Sequence, residues 1–439
     1  MRQRPIVPPV LALASLAVCL ALAALAGCLA AGAPSAAAIP LGGVNIAVLS
    51  NGSTPAQADR AVANAHALHA KIVRTEIPWS VLEPRAGRID PHALAFVDRL
   101  ATDAAADGIG VVMTVDSTPC WASSAPAALL RSCAPARSGE ANAWPPREPG
   151  AYASFVAYLA GRYGDQLAAI EVWNEPDQAN QHYFAGPEKP QRYAAILRAA
   201  YPAIKQADPA VQVLGGSLVG SNGVFLRALY AAGIKGFYDG LSVHFYNLVL
   251  GSLRATHEVQ LANGDAKPIW LDEFGWSSCW PRQRVQQEQA CVPSRTQAAN
   301  LADTFRELAR APYVAAEVVY QLQGSATEDF GVLSPGGARK PAFAALSRVL
   351  ISPLGAPART VLSLRRRGSQ VIAAGSGPVG DYMALEAFRG SVLRYRALFV
   401  LDRFNRYSIA LPRALGTHGL RVRVFQYWAG AGGAAQRGI

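Results

Sequence analysis

The sequence predicts an α/β chain: a (β/α)8 barrel followed by a small C-terminal β-sandwich. Three observations predict it. Short apolar runs of strand length alternate with longer helical stretches over most of the chain, the order expected of a parallel sheet covered by helices. Two of these runs end in polar bursts, Trp173-Asn174-Glu175-Pro176-Asp177 and Asp272-Glu273-Phe274-Gly275-Trp276, each putting a carboxylate where a barrel strand delivers side chains to its C-terminal end. After Pro353-Leu354-Gly355-Ala356-Pro357, a linker by composition, the helical stretches stop and short alternating runs begin.

The chain has 439 residues, 51% of them hydrophobic and 16% charged, a globular composition with room for one large and one small domain. Residues 1–38 are set apart as an export signal and spacer. Arg2 and Arg4 precede an Ala/Leu-rich run from Val10 to Ala26, too short for a spanning helix and suited to a secretory signal. Leu25-Ala26-Gly27-Cys28 resembles a bacterial lipobox, which makes Cys28 a lipidation candidate; plain cleavage near Ala36–Ala38 is the alternative. An exported protein, periplasmic, anchored to the outer membrane or extracellular, is expected.

The barrel is expected over residues 39–352. Strand one is read at Val44–Leu49 and strand two at Lys71–Glu76, with a helix from Ala56 to Ala70 between them. A helix from Ala93 to Asp107 leads to strand three at Gly110–Asp116, and a long loop runs from there to about Gly150. Loops of that length are uncommon unless functional. Tyr152–Tyr163 is helical, and strand four ends at Glu175. Helix Tyr193–Ala207 stops at Asp208-Pro209, strand five is Val211–Gly216, and helix Gly223–Ala232 precedes strand six at Gly240–Tyr246. Strand seven ends at Glu273, helix Thr296–Arg310 follows, strand eight is Val314–Tyr320, and Pro341–Leu350 closes the ring. Glu175 and Glu273 are 98 residues apart, close to three βα units of about 31 residues each, so they belong at the ends of strands four and seven.

Residues 353–439 form the second domain. Its strand-like runs are Val361–Leu364, Gln370–Ala374, Tyr382–Phe388, Tyr407–Leu411 and Leu420–Tyr427, and the Gly-rich end after Trp428 is expected to fray. The formal charge of +11 is concentrated here: from Pro353 onward there are thirteen Arg against Asp381, Glu386 and Asp402, whereas the barrel is close to neutral. Such a tail fits an anionic polymer or an envelope surface. No nucleic-acid recognition motif accompanies the charge, so nucleic acid is not expected as a partner.

Cys19 and Cys28 fall in the signal region, and the other four cysteines form two local pairs, Cys120 with Cys133 and Cys279 with Cys291. Four cysteines allow three connectivities, of which the local one is simplest. Each pair would staple a loop directly after a barrel strand in an oxidising compartment.

Two carboxylates facing each other across a barrel mouth suit the cleavage of an acetal, which needs a proton for the departing oxygen and an anion for the oxocarbenium-like centre. Asp272 and Asp177 compete for these roles, but strand alternation turns Asp272 away from the mouth if Glu273 faces it. Trp79, Trp121, Trp144, Trp276 and Trp280 lie near loop ends, where aromatic faces could stack on sugar rings. No metal-ligand spacing and no dinucleotide fingerprint is present, and no cofactor is expected.

Trp173-Asn174-Glu175-Pro176 with the later Asp272-Glu273-Phe274-Gly275 resembles the retaining glycoside hydrolases of clan A, most closely family 39, over about Val44 to Leu350. That family includes β-xylosidases, α-L-iduronidases and bacterial endo-glycosidases of biofilm exopolysaccharides. The resemblance implies Glu175 as acid/base and Glu273 as nucleophile. It implies Asn174 on the sugar 2-hydroxyl, Arg74 and Tyr246 on the Glu273 carboxylate, and His244 near Glu175 and the substrate. Many relatives carry a Trp at the end of strand eight; here the run is Val319-Tyr320-Gln321, so Tyr320 or a loop Trp such as Trp121 or Trp276 takes that place. The resemblance implies a retaining glycosidase; export, the basic tail and the envelope context favour endo action on a bacterial exopolysaccharide, and a monomer is expected, with an exo-acting β-xylosidase-like enzyme or a non-catalytic polysaccharide-binding matrix protein as the competing expectations.

Overall fold

The computed structural model describes residues 39–46, 48–135, 139–246, 249–281, 291–356, 358–379, 382–427 and 434–439. The expected signal segment, Cys28 and the spacer lie outside the described residues. Residues 39–439 form one compact unit.

Eight parallel strands close into a barrel in sequence order: β1 (Leu41–Asn45), β2 (Ile72–Pro78), β3 (Gly110–Asp116), β4 (Leu167–Val172), β5 (Gln212–Leu218), β6 (Gly240–His244), β7 (Ile269–Phe274) and β8 (Val314–Val319). Pairing of β1 with β8, Gly43 opposite Val318, shuts the ring. The helices between them are α1 (Pro55–Ala67), α2 (Pro91–Ala106), α3 (Pro149–Tyr163), α4 (Lys189–Ala207), α5 (Val224–Ala231), α6 (Val249–Ala262), α7 (Ser294–Leu308) and α8 (Pro341–Ile351). Local signals start several of them. Asp90 accepts the amide protons of His92 and Ala93 at 2.9 and 3.0 Å ahead of Pro91, and Gln57 reaches back to the Thr54 amide at 2.7 Å.

Three expectations are corrected. The sequence reading assigns no helix between β6 and β7, where α6 lies. Strand one sits at Leu41–Asn45 rather than Val44–Leu49, because its glycines are a packing requirement and not a break. A Cβ on Gly43 would come within 2.2 Å of the Ile72 carbonyl oxygen. Strand four ends at Val172, so Glu175 stands on the loop that follows, three residues beyond the sheet.

The barrel interior is layered. Ile72, Val112, Ala169, Leu214, Trp270, Ala316 and Val318 form an apolar floor. Two residues further along their strands, on the same inward side, come Arg74, Thr114, Glu171 and Asp272. A larger apolar cluster fills the space between the strands and the helices.

Beyond the barrel, two antiparallel sheets make the second domain. One has the order β13 (Arg406–Ala410), β10 (Gln370–Ser376), β9 (Val361–Arg367); the other β12 (Val392–Phe399), β11 (Met383–Arg389), β14 (Leu420–Gln426), β15 (Ala435–Gly438). Leu362, Val371, Met383, Leu385, Tyr407, Val422 and Val424 share their core. Two of these strands are unexpected. Val392–Phe399 is an edge strand whose mixed Arg and apolar residues give no clean alternation, and Ala435–Gly438 pairs with β14 instead of fraying. Asn405 donates to Asn300 Oδ1 at 2.6 Å and Arg403 stacks on Trp280 at 4.1 Å, tying this domain to the barrel.

Both expected disulfides are formed, Cys120–Cys133 and Cys279–Cys291, with Cα atoms 5.8 and 5.4 Å apart. The first clips the loop after β3, which also contains a short helix at Ala127–Ser132. Among the described residues, no helix is long and apolar enough to cross a membrane.

Candidate active site

The site grows from the inward layer of the barrel. Arg74, 1% exposed, points up from β2 into a ring of acceptors. Its Nε donates to Glu171 Oε2 at 2.8 Å and lies 3.5 Å from Asp272 Oδ2. Its Nη1 donates to Glu273 Oε1 at 2.6 Å and to Asn45 Oδ1 at 2.9 Å, and its Nη2 to Asn174 Oδ1 at 3.0 Å. Burial alone would lower the guanidinium pKa, but the charges of Glu171, Glu273 and Asp272 hold it well above its ordinary value. One buried cation thus fixes strands β1, β2, β4 and β7 and the loop after β4.

Asp272 lies beneath the site rather than away from it. Strand alternation alone turns Asp272 inward with Trp270 and turns Glu273 outward. The pairing register slips between Leu271 and Phe274 where β7 meets β8, and both carboxylates reach the interior. Asp272 and Glu171 shift in opposite directions. Burial and the Glu171 charge push Asp272 well above the carboxylate range; burial would also raise Glu171, but the Arg74 charge brings it to about 2. Gly275, which completes this motif, leaves room for strand eight: a Cβ there would come within 2.3 Å of the Tyr320 carbonyl oxygen.

Glu273 is gripped from two sides, by Arg74 on Oε1 and by the Tyr246 hydroxyl on Oε2 at 2.5 Å. Glu175 is gripped differently. His244 Nδ1 donates to its Oε1 at 2.9 Å, and the Gln178 amide donates to Oε2. The same His244 Nδ1 lies 3.5 Å from Glu273 Oε2, and its Nε2 lies 3.0 Å from Ser217 Oγ. Burial would push the His244 pKa down, yet the Glu273 charge and the bond to Glu175 hold it above the ordinary value. One oxygen of Glu175 and one of Glu273 lie within 4.8 Å of each other.

The loop that presents Glu175 is strained. Trp173 and Glu175 both occupy left-handed backbone, at φ of 72° and 45°. Such residues cost about 1–3 kcal/mol each and persist only where the surroundings fix them. Trp173 is the fixing element. It is fully buried, donates Nε1–H to the Tyr183 carbonyl at 2.8 Å, and packs its ring 5.2 Å from Phe184. Asn174, held between, has Oδ1 occupied by Arg74 and by the Ser217 hydroxyl at 3.2 Å, and among the described residues its NH2 has no partner.

The aromatic residues sort differently from expectation. Tyr320 packs its edge on Tyr246 at 5.9 Å and donates to Glu328 at 3.0 Å, beside the mouth. Trp121 packs on Trp79 at 5.3 Å and donates to the Glu83 carbonyl, with part of its ring exposed. Trp276 is only 5% exposed, with its ring against Phe274 at 6.4 Å, so it serves the core and offers a sugar no face. Trp79 is fully buried and Trp280 stacks with Arg403. Asp177 accepts the amides of Val219 and Gly220 at 3.1 and 2.8 Å, a loop brace.

Several functional neighbours escape sequence reading. Asn45, Ser217, Gln178, Glu171 and Thr114 are ordinary residues until the barrel closes. Glu76 and Asp116 form a further acidic pair at the ends of β2 and β3. Burial first, and the charge of Asp116 second, push Glu76 well above the carboxylate range; burial raises Asp116 to about 6. Of these, Glu171 carried a readable signal: it lies two residues before Trp173 in a strand that should be wholly apolar.

Among the described residues, Glu171–His244–Asp272 and Glu175–His244–Glu273 have spacing that could hold a metal ion. Arg74 and His244 already supply the positive charge these carboxylates need, so the donor set matches an organic ion-pair network better than a metal centre.

No protein-family model and no curated protein matches the chain. Solved structures match it in fold. A family 39 glycoside hydrolase from Bacteroides cellulosilyticus WH2 is 18% identical, with 85% of this chain and 79% of that chain covered and a TM-score of 0.54. A GH39 enzyme from Xanthomonas axonopodis pv. citri is 14% identical, covering 93% and 96%, at 0.53. A GH30 endoxylanase from Clostridium papyrosolvens C71 is 13% identical, covering 86% and 95%, at 0.52. The likeness is one of fold, and function has to be argued from the site.

Proposed function

We propose that this chain is a retaining glycoside hydrolase working by double displacement. The observation that carries the proposal is the separation of the two carboxylates, within 4.8 Å at their nearest ligand-type oxygens. Retaining enzymes keep their carboxyl groups about 5–5.5 Å apart, whereas inverting enzymes need roughly 6.5–9.5 Å to fit a water.

In the first step Glu273 attacks the anomeric carbon while Glu175 gives a proton to the departing oxygen, leaving a glycosyl ester on Glu273. In the second, Glu175 takes a proton from water, whose oxygen attacks the same carbon and frees Glu273. Arg74 and Tyr246 hold Glu273 aligned. Gln178 and His244 orient Glu175, and the free Asn174 amide donates to the 2-hydroxyl of the attacked sugar. Tyr320 and the exposed part of Trp121 offer ring surface for sugars.

The finer reading is endo action on a bacterial exopolysaccharide outside the cytoplasm. Two disulfides, the signal-like leader in the sequence and the basic second domain support it. Arg365, Arg367 and Arg394 are exposed on that domain, and their charge suits an anionic envelope. Reversing these three Arg to Glu is expected to weaken salt-sensitive retention on cells; unchanged retention contradicts the docking role.

The decisive test of activity compares wild type, Glu175→Gln and Glu273→Gln on aryl glycosides and purified exopolysaccharides, with NMR of the first-formed product. Loss of turnover in both variants and a retained anomer are expected. Equal signals in all three proteins would leave a binding protein, an inverted anomer a different mechanism, and single sugars released from chain ends an exo enzyme.

A further inference from the structure

We propose that Glu76 and Asp116 form a subsite for the ammonium group of a non-acetylated amino sugar, which makes the substrate an aminated glycan; this rests on the glycosidase reading above.

The placement follows from the barrel. Ile72, Arg74 and Glu76 alternate onto the inward side of β2, and Val112, Thr114 and Asp116 do so on β3. The two strands pair with Glu76 opposite Thr114 and Asp116 opposite Pro78, so the carboxyls are diagonal neighbours one layer above Arg74. That layer opens at the barrel mouth, where Glu175 and Glu273 stand, and both charges act on Glu76. Asp116 is 5% exposed, and among the described residues its Oδ1 has no hydrogen-bond partner. Glu76 is the more accessible of the two.

The proposed mechanism uses neither residue, and their placement is costly. Buried polar atoms are ordinarily paired, and paired carboxyls without a cation can persist only by keeping a proton. Arg74 is the cation that pulls on both of them, and it is already committed to Glu171, Glu273 and Asn174. A ligand ammonium seated on Glu76 supplies the missing charge, with Asp116 as the second anion beside it. Tyr183, 37% exposed and within the field of the same four carboxylates, adds an aromatic face at this rim. A uronic acid would meet only like charge here. The acidic mouth and the basic second domain therefore address different partners, a cationic sugar chain and an anionic surface.

The test uses the full chain carrying Glu175→Gln, in chelator-treated buffer, titrated calorimetrically with glucosamine and galactosamine tetramers. Their N-acetylated forms, xylotetraose and tetragalacturonate serve as comparisons. One of the amino tetramers is expected to bind about ten- to hundred-fold more tightly than its acetylated form. It should release protons on binding at pH 6, read as a buffer-dependent heat. Adding Glu76→Gln and Asp116→Asn should abolish that preference in a protein whose melting confirms it is folded. Equal affinity for free and acetylated amines, or tighter binding of the uronate, overturns the subsite. Because binding is read without turnover, inactivity on aryl glycosides would count against the glycosidase reading alone.

Discussion

Arg74 Nη1 reaches Glu273 Oε1 at 2.6 Å, though the two residues are 199 positions apart in the chain. The contact joins β2 to β7 inside a closed ring, and it is the centre of a charge network that neither strand could hold alone. Arg74→Met would leave Glu171 and Glu273 without their cation. Removing one partner of a buried ion pair costs about 3–5 kcal/mol. A loss of unfolding free energy of that size in denaturant titrations, with activity lost, is expected; a variant as stable and active as wild type would contradict the role.

Tyr246 should matter to chemistry more than to folding. Its hydroxyl is a donor to one oxygen of Glu273, and hydrogen bonds to charged groups contribute about 1.5–3 kcal/mol. Tyr246→Phe is therefore expected to lower kcat by roughly 10- to 150-fold, with an unchanged fold by circular dichroism. A kcat within two-fold of wild type would show that the contact does not align the nucleophile.

Asp116 gives a stability signature with a definite sign. Its folded-state pKa of about 6 lies above the ordinary aspartate value of 3.8. Between these values the folded chain binds more protons than the unfolded one, so stability falls as pH rises, and the full cost is present above pH 6. Asp116→Asn should stabilise by about 1–3 kcal/mol at pH 8 and by almost nothing below pH 4. Equal effects at both pH values in denaturant titrations would contradict this account.

The two disulfides close loops of sequence separation 13 and 12. Replacing Cys120 and Cys133 together by Ser should cost about 3 kcal/mol, seen in the denaturation midpoint. Peptide mapping without reductant should find each pair linked, and free thiols at these positions would contradict the pairing.

Much of this architecture is legible in the sequence because a barrel writes itself as repetition. Gly110–Asp116 reads as a strand and is one, and the 98-residue spacing assigns the two carboxylates to the fourth and seventh βα units, although Glu175 stands on the loop after β4 rather than on the strand. What was not legible depends on backbone detail. The positive φ at Trp173 and Glu175 and the register slip after Leu271 are tertiary effects, and alternation alone misplaces Asp272. The helix Val249–Ala262 is hidden by the glycine at 251, and β12 by its mixture of Arg with exposed Leu and Val. Ser217, Asn45 and Gln178 acquire meaning only from what stands opposite them. The aromatic expectations fared least well at Trp276, because proximity to a strand end does not tell whether a ring faces inward or out.

Double displacement requires Glu273 to become covalently attached to the sugar. An activated 2-deoxy-2-fluoro glycoside of any sugar the enzyme turns over slows the second step more than the first and lets that ester accumulate. Mass spectrometry of the trapped protein should show a single added glycosyl group, on a peptide containing Ile269–Trp276 and localised to Glu273. A label on Glu175 or Asp272, or turnover of the probe with no covalent species at any time, would contradict it.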